Sequence, residues 1–307
     1  MARYTLRRLL GAIPTLLLVV VLAFMLVHAA PGGPFDSERV LQAEIEQRIL
    51  AHYHLDEPLP QQFMRYLSGV LRGDFGPSYR YVDHTVNELI AGALPVSILL
   101  GLLAILLAVI AGLAAGTFAA LRRNTIADRL IMGLSMTGIS IPVFVVAPVL
   151  VLLFAVKLNW LPAGWTGASG PSRLVLPVIA LALPQIAYIA RLTRASMIDV
   201  LSSGFVRTAR AQGLGSRGII RYHALKPAML PVLSYMGPAV AAILTGSVII
   251  EEIFGIGGVG RLFVDGALNR DYTLVLGIVI VYAMMIVLFN LVVDILYGII
   301  DPRVRYR

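Results

Sequence analysis

The sequence predicts an all-α membrane protein with six transmembrane helices, and three observations carry that expectation. Of its 307 residues 58% are hydrophobic and only 14% are charged, and the mean hydropathy is +0.84; a soluble domain carries roughly 25% charged residues. Six runs free of charge are long enough, or nearly so, to cross about 30 Å of hydrocarbon, which takes roughly 20 residues at a rise of 1.5 Å. The basic residues gather in alternate connections. So little charge excludes a soluble enzyme, a nucleic-acid-binding domain and a disordered chain. With no cysteine in the chain, disulfides, thiolate nucleophiles and Cys-based metal sites are excluded as well.

The first run, 9–30, follows Arg3, Arg7 and Arg8. That pattern also fits a cleaved signal peptide, but the run exceeds the 7–15 apolar residues of such a segment, so a retained helix is expected. Pro31-Gly32-Gly33-Pro34 stops it, and residues 31–88 form an insertion between the first two spans. Within it Phe63, Leu67, Val70 and Leu71 share one face of a short helix that Gly73 ends. That stripe packs on the protein's own outer face or on the bilayer, or else serves as a platform for an external partner. The second and third runs, 89–121 and 130–156, are longer than a crossing needs, so tilt, interfacial turns or breaks near Pro95, Pro142 and Pro148 are expected. Gly112 and Gly116 have the spacing that lets helices approach closely. The fourth run, 174–190, is the shortest, and Arg191 and Arg194 are expected to reach back to the headgroups on their long stems. The fifth and sixth are 227–250 and 273–293.

Six crossings place both termini on one side. With the termini in the cytoplasm, that side holds Arg3, Arg7 and Arg8, then Arg122, Arg123 and Arg129. It also holds Arg191, Arg194, Arg207, Arg210, Arg217, Arg221 and Lys226, and finally Arg303, Arg305 and Arg307. Only Asp128, Asp199 and Asp301 accompany them, as the positive-inside rule requires. This asymmetry accounts for the net charge of +8 without any nucleic acid.

The inner segment 191–226 is the most informative. Ser202 and Ser203 are placed to cap a helix starting near Phe205, and Gly213 to end it, giving roughly two turns over Phe205-Val206-Arg207-Thr208-Ala209-Arg210-Ala211-Gln212-Gly213. So short a helix is marginal alone and needs a neighbour. Ala209, Ala211 and Gly213 permit close approach, and Arg207 and Arg210 offer charge to an acidic groove; the alternative is a solvated basic loop.

Several features point away from chemistry within this chain. Gly255-Ile256-Gly257-Gly258-Val259-Gly260 has the glycine spacing of a dinucleotide loop but follows an apolar span rather than a strand, so an external loop or broken helix is expected there. No phosphate-binding G-x-x-x-x-G-K-[ST] occurs, so any ATPase is another chain. His28, Glu251 and Glu252 fall at outer helix ends, where contact with interfacial water is expected, and Asp294 is read as a cap or ion-pair partner. An ion-coupled transporter would need ionisable groups at the bilayer midplane, and a membrane enzyme a nucleophile with its base; neither pattern is seen.

Segment 191–226 resembles the cytoplasmic loop of binding-protein-dependent ABC importer permeases, whose motif is Glu-Ala-Ala, three residues, then Gly. Arg207-Thr208-Ala209 and Gly213 stand at those positions, followed by His223-Ala224-Leu225-Lys226-Pro227 and Leu230-Pro231, in the form of the peptide/nickel branch. Further matches include Ile13-Pro14-Thr15, Gly73-Asp74-Phe75-Gly76-Pro77-Ser78, Asn159-Trp160-Leu161-Pro162, Ala267-Leu268-Asn269-Arg270-Asp271-Tyr272 and Asp294-Ile295-Leu296-Tyr297, so the likeness runs nearly end to end. Gln212 stands where that branch often has Lys. The resemblance implies a single permease domain, 1–307, of the type I importer fold in a bacterial inner membrane. It also implies that Phe205 to Gly213, with Leu214, couple to a cytoplasmic ATPase. The implied partners are a homologous second permease, two ABC ATPases that bind ATP and Mg, and a periplasmic peptide-binding protein. Oligopeptides are the implied cargo; dipeptides, nickel chelates and other small solutes are the alternatives within the class. No catalytic residue, metal or cofactor is expected in this chain. A bulky residue at Ala209 or Gly213 is expected to uncouple transport without preventing insertion.

Overall fold

The computed structural model describes residues 2–30, 32–35, 43–165 and 170–300. Pro31 of the first helix stop, and Asp301 with Arg303, Arg305 and Arg307, lie outside the described residues. The described chain is helical, with an isolated antiparallel bridge between Pro77 and Thr85.

Five helices are long and apolar enough to cross a membrane: α1 (Ala2–Ala29), α4 (Val86–Leu121), α7 (Val175–Ser202), α11 (Leu230–Phe254) and α13 (Tyr272–Ile300). Between α1 and α4 lie α2 (Ala43–His52) and α3 (Leu59–Leu71). The expected third span is not one straight helix. It is α5 (Ile126–Ser140) and α6 (Val143–Leu150), the latter continuing as a π-helical turn to Lys157, with a bend of 108° between the halves. The cause is Pro142, whose ring drives Ile141 into extended backbone, φ −91° and ψ 121°. Pro95 interrupts nothing: α4 runs unbroken for 36 residues. The remaining helices are α8 (Gly204–Ala211), α9 (Ser216–Gly218), α10 (Leu225–Ala228) and α12 (Val259–Leu268), with a π-helical turn Ile219–Ala224 joining α9 to α10.

The chain divides into two compact units. One comprises Ser97–Ile256 with Met1–Leu6 and Ile286–Arg307, the other Arg7–Val96 with Gly257–Met285.

In the first unit α7 is the central pillar, packed against α5, α6, α10 and α11. Apolar on nearly all sides, it buries residues from Leu176 through Met197, as a helix surrounded by others must. The glycine pair of α4 packs on it as the spacing predicts: a Cβ at Gly112 would sit 2.7 Å from Ile189 Cβ, and one at Gly116 2.6 Å from Thr193 Cβ. Ser97, Leu100, Ala104 and Ala108 continue that buried edge of α4 at intervals of three or four.

In the second unit α3 shows the expected amphipathic pattern in part. Phe63 and Tyr66 pack on a core of Ala23, Phe24 and Leu276, whereas Leu71 is 79% exposed. Gly73, at φ +78°, closes the helix: its N–H reaches Val70 O and that of Asp74 reaches Gly69 O, which satisfies two terminal carbonyls. The following loop is held by Asn87, whose Oδ1 accepts from Phe75 N–H and whose Nδ2 donates to Gly73 O.

Asp271 fastens this loop to α13. Fully buried, it caps the helix by accepting from Leu274 N–H at 3.2 Å, and it also accepts from the Ser78 hydroxyl and from Thr273 Oγ1 at 3.1 Å. Thr273 Oγ1 is within 2.6 Å of Pro77 O, and Tyr81 N–H donates to Ser78 Oγ. Burial, with Asp271's charge adding to it, pushes the Tyr79 hydroxyl's ionisation above the ordinary tyrosine range. Asp271→Ala is expected to cost about 2 kcal/mol through the lost cap and the stranded donors, and to loosen the loop enough for trypsin to cut after Arg80, which is exposed but held through its N–H to Asp271. A lowered melting temperature with cleavage at Arg80 in limited proteolysis checks this; unchanged protection contradicts it.

Candidate functional site

The candidate site is segment 191–226, all of it within the first unit. α8 is eight residues long, close to the two turns expected, but it follows α7 with only Ser203 between them, because the fourth span, expected over 174–190, continues as helix to Ser202. The capping differs from expectation. Ser203 occupies the N-cap position and its carbonyl accepts from Arg207 N–H, but its hydroxyl donates backwards to Val200 O at 2.6 Å, and that of Ser202 to Asp199 O. The serines therefore close the end of α7 rather than opening α8.

The far end is as predicted. Gly213 has φ +84°, a conformation open to glycine at little cost. Gly213 N–H reaches Arg210 O and Leu214 N–H reaches Ala209 O, the paired bonds of a glycine-terminated helix. Leu214 then folds onto a small core of Val206, Ala209 and Ile219, with Val200 and Leu201 against it.

That core sorts the ten predicted residues into two groups. Val206 and Ala209 are buried and Leu214 is half-buried, so they hold α8 to the rest of the chain. Phe205, Arg207, Thr208, Arg210, Ala211, Gln212 and Gly213 are exposed. Arg207 and Ala211, one turn apart, lie opposite the buried face. Ala209, expected as a small residue that permits close approach, is buried against Val206 and Ile219 of its own chain. The support continues below, where Met197, Ala120, Ala224 and Ala228 form a second core that ties the ends of α4 and α7 to the π-helical turn. Periodicity gave no sign that 216–228 is helical, because its two α pieces and the π-helical turn between them are each too short to show a repeat.

Arg207 and Arg210 on α8, and Arg191, Arg217, Arg221 and Lys226 elsewhere in the segment, are exposed, with Asp199 the only acid in the segment. This is a field suited to an acidic partner. Arg194 is the exception. It does not reach for headgroups but forms a two-pronged ion pair with Asp128 at the start of α5, Nε to Oδ1 at 2.5 Å and Nη2 to Oδ2 at 2.7 Å. Asp128 Oδ2 also accepts from Asn124 N–H at 2.9 Å, and Thr125 caps α5. Thr125-x-x-Asp128 was a legible helix start; its pairing with Arg194 was not.

Helix ends that the sequence reading placed on the outer side also depart from expectation. Glu251, expected at interfacial water, is fully buried, and Ser97 Oγ donates to its Oε1 at 2.7 Å; Glu252 is exposed. Gly255 ends α11 in the left-handed region and Gly258 precedes α12, so the glycine run is a break between two helices. In the second unit His28, His52 and His54 line one cavity of about 480 Å³. No group of three or more potential ligands is placed to hold a metal among the described residues.

Comparison with known proteins gives consistent results. The family described as binding-protein-dependent transport system inner membrane component matches residues 112–306, and its N-terminal counterpart matches 1–100. The chain is 54% identical over 306 residues to the oligopeptide transport system permease protein OppB of Salmonella typhimurium, covering all of both chains. It is 43% identical to the dipeptide transport system permease protein DppB of Bacillus subtilis, over 99% of this chain and 98% of the other. Among solved structures it is similar to a chain of the MetNI methionine ABC transporter in inward-facing form. The TM-score is 0.55 at 15% identity, over 69% of this chain and 96% of that one, so the two share a fold.

Proposed function

The chain belongs to the binding-protein-dependent transport system inner membrane components, which makes it a multi-pass inner-membrane permease, and from that premise we propose that it imports oligopeptides as half of a translocation pore. The observation that carries the substrate class is the gap in identity: 52–54% over the full length to oligopeptide permeases against 43% to a dipeptide permease. A homologous permease completes the pore. Two cytoplasmic ATPases bind ATP and Mg and supply the energy, and a periplasmic binding protein delivers the peptide. Both termini and segment 191–226 are cytoplasmic, and residues 31–88 are periplasmic, in keeping with the distribution of Lys and Arg.

In this reading Phe205 to Leu214 are the ATPase-coupling residues, divided by role. Val206, Ala209 and Leu214 seat α8 on its own chain, and Phe205, Arg207, Thr208, Arg210, Ala211 and Gln212 meet the ATPase. Gly213 sets the turn beyond. A helix transmits force only if it moves with what it is attached to. With one residue between α7 and α8 and a small core beneath, displacement of α8 is carried into α7 instead of being absorbed by a slack loop.

The test is the complex with its partners in proteoliposomes. Tri- to pentapeptides delivered by the binding protein should be taken up with ATP hydrolysis; uptake of dipeptides alone would overturn the substrate class. Arg207→Glu is expected to lower both uptake and peptide-stimulated ATPase activity about tenfold, equivalent to 1.4 kcal/mol, with normal insertion and melting temperature. Ala209→Leu should instead lower the melting temperature as well, by overpacking the seat. If Arg207→Glu retained full stimulation, the assignment of the exposed face would fail.

A further inference from the structure

We infer that the turn 270–273, in the second unit, is a clasp that makes both ends of the insertion 31–88 move with the start of α13, so that a binding protein docked on the insertion acts on that span through Arg270. Each of the four residues takes hold of the insertion. Just after α1, Gly33 O accepts from Arg270 Nη1 at 3.3 Å and Gly32 O from the Tyr272 hydroxyl at 2.9 Å. Just before α4, Asp271 Oδ2 accepts from the Ser78 hydroxyl and from Arg80 N–H at 3.3 Å, and Thr273 Oγ1 lies 2.6 Å from Pro77 O.

The two oxygens of Asp271 serve different elements. Oδ1 caps α13 by accepting from Leu274 N–H at 3.2 Å, while Oδ2 holds the loop. The loop therefore cannot shift without pulling on the cap. Further along α13, a Cβ at Gly277 would lie 2.7 Å from Val86 Cγ1 and 3.3 Å from Phe75 Cβ, so the helix also rests directly on that end of the insertion.

Stability alone does not explain Arg270. Its N–H reaches Ala267 O and that of Asp271 reaches Gly266 O, the paired bonds that end α12, and its φ is +55°. Glycine ordinarily fills that position, because a Cβ is unfavourable in the left-handed region. The turn would be better served by glycine and the link across it would be lost. What the arginine adds is reach: its guanidinium donates to Gly33 O and lies so close to Gly32 that a Cβ there would collide with it. A residue held in a disfavoured conformation for the sake of a contact marks that contact as functional. By linkage, whatever binds the insertion better in one arrangement of α13 favours that arrangement. The inference rests on the proposed delivery of peptide by a binding protein, and 31–88 is the longest connection placed on its side of the membrane.

The test uses the complete complex in proteoliposomes. It reads basal ATPase activity, stimulation by peptide-loaded binding protein, affinity for that protein, and melting temperature. Arg270→Gly is expected to keep or raise the melting temperature, since glycine suits the turn, and to leave basal activity and affinity unchanged. Stimulation should nevertheless fall about fivefold, the lower end of ordinary coupling between sites. Tyr272→Phe, which removes one hydroxyl from the same link, should lower stimulation in the same sense but by less. Full stimulation in both variants would overturn the inference. So would a loss of affinity matching the loss of stimulation, which would place Arg270 in the docking surface instead. A wild-type complex that no binding protein stimulates would overturn the importer reading itself, and the clasp's role with it.

Discussion

Arg194→Ala is expected to destabilise the protein by about 3 kcal/mol, the lower end of the range for stripping one partner from a buried ion pair. The lower end applies because the Arg194 side chain is 26% exposed, whereas that of Asp128 is 3% exposed. The loss is asymmetric. Without the guanidinium, Asp128 keeps Asn124 N–H as a donor and the favourable end of the α5 dipole, but its charge remains buried. Without the carboxylate, Arg194 still has a path to water, so Asp128→Ala should cost less. Arg194→Lys should fall between wild type and Arg194→Ala, since an ammonium cannot make both prongs. Because the pair joins the start of α5 to α7 seven residues before Leu201, which packs under α8, Arg194→Ala should also weaken ATPase coupling. Thermal unfolding in detergent, with peptide-stimulated ATPase activity alongside, provides the check. A change within about 0.5 kcal/mol, the ordinary range for surface substitutions, would mean the pair is only a surface contact.

Gly116→Leu should have an effect of similar size by a different mechanism. A Cβ at Gly116 would collide with Ala190 O and lie 2.6 Å from Thr193 Cβ, and one at Gly112 would lie 2.7 Å from Ile189 Cβ and 3.1 Å from Ile186 O. Part of this obstruction is backbone and cannot rotate away, so α4 and α7 must separate. Overpacking a core costs about 1–3 kcal/mol; Gly116→Ala should fall in that range and Gly116→Leu at or above its top. Gly133 in α5 is the control. Nothing lies within 4 Å of a Cβ there, so Gly133→Ala should be neutral or stabilise by about 0.5–1 kcal/mol through reduced chain entropy. Equal melting temperatures for Gly116→Ala and Gly133→Ala would contradict the close packing of α4 on α7.

These two sites differ in how far they were legible. Gly112 and Gly116 announce a helix contact by their spacing, and α7 is the partner the structure supplies. Gly213 announces the end of α8, and both its φ and its hydrogen bonds agree. The serines before α8 were legible as turn-formers but not as to which helix they would serve, because a hydroxyl is equally able to donate to the helix behind it or accept from the one ahead. Ala209 was legible as a small residue. Whether a small residue is small for a partner or for its own chain depends on what lies beneath, and here that is Ile219.

By itself the sequence determined the class, the number and approximate limits of the apolar runs, the break at Pro142 as one of three candidates, and the position and length of α8. All of these follow from hydropathy and from backbone rules that act within a few residues of their cause. Only the tertiary structure decided that Arg194 turns to Asp128, that Ser78 meets Asp271, that Ser97 meets a buried Glu251, and which face of α8 is free. Those partners are 66, 193 and 154 residues apart. A polar group in an apolar interior must find a partner, but nothing local says which, because the choice is made by helices packing against one another.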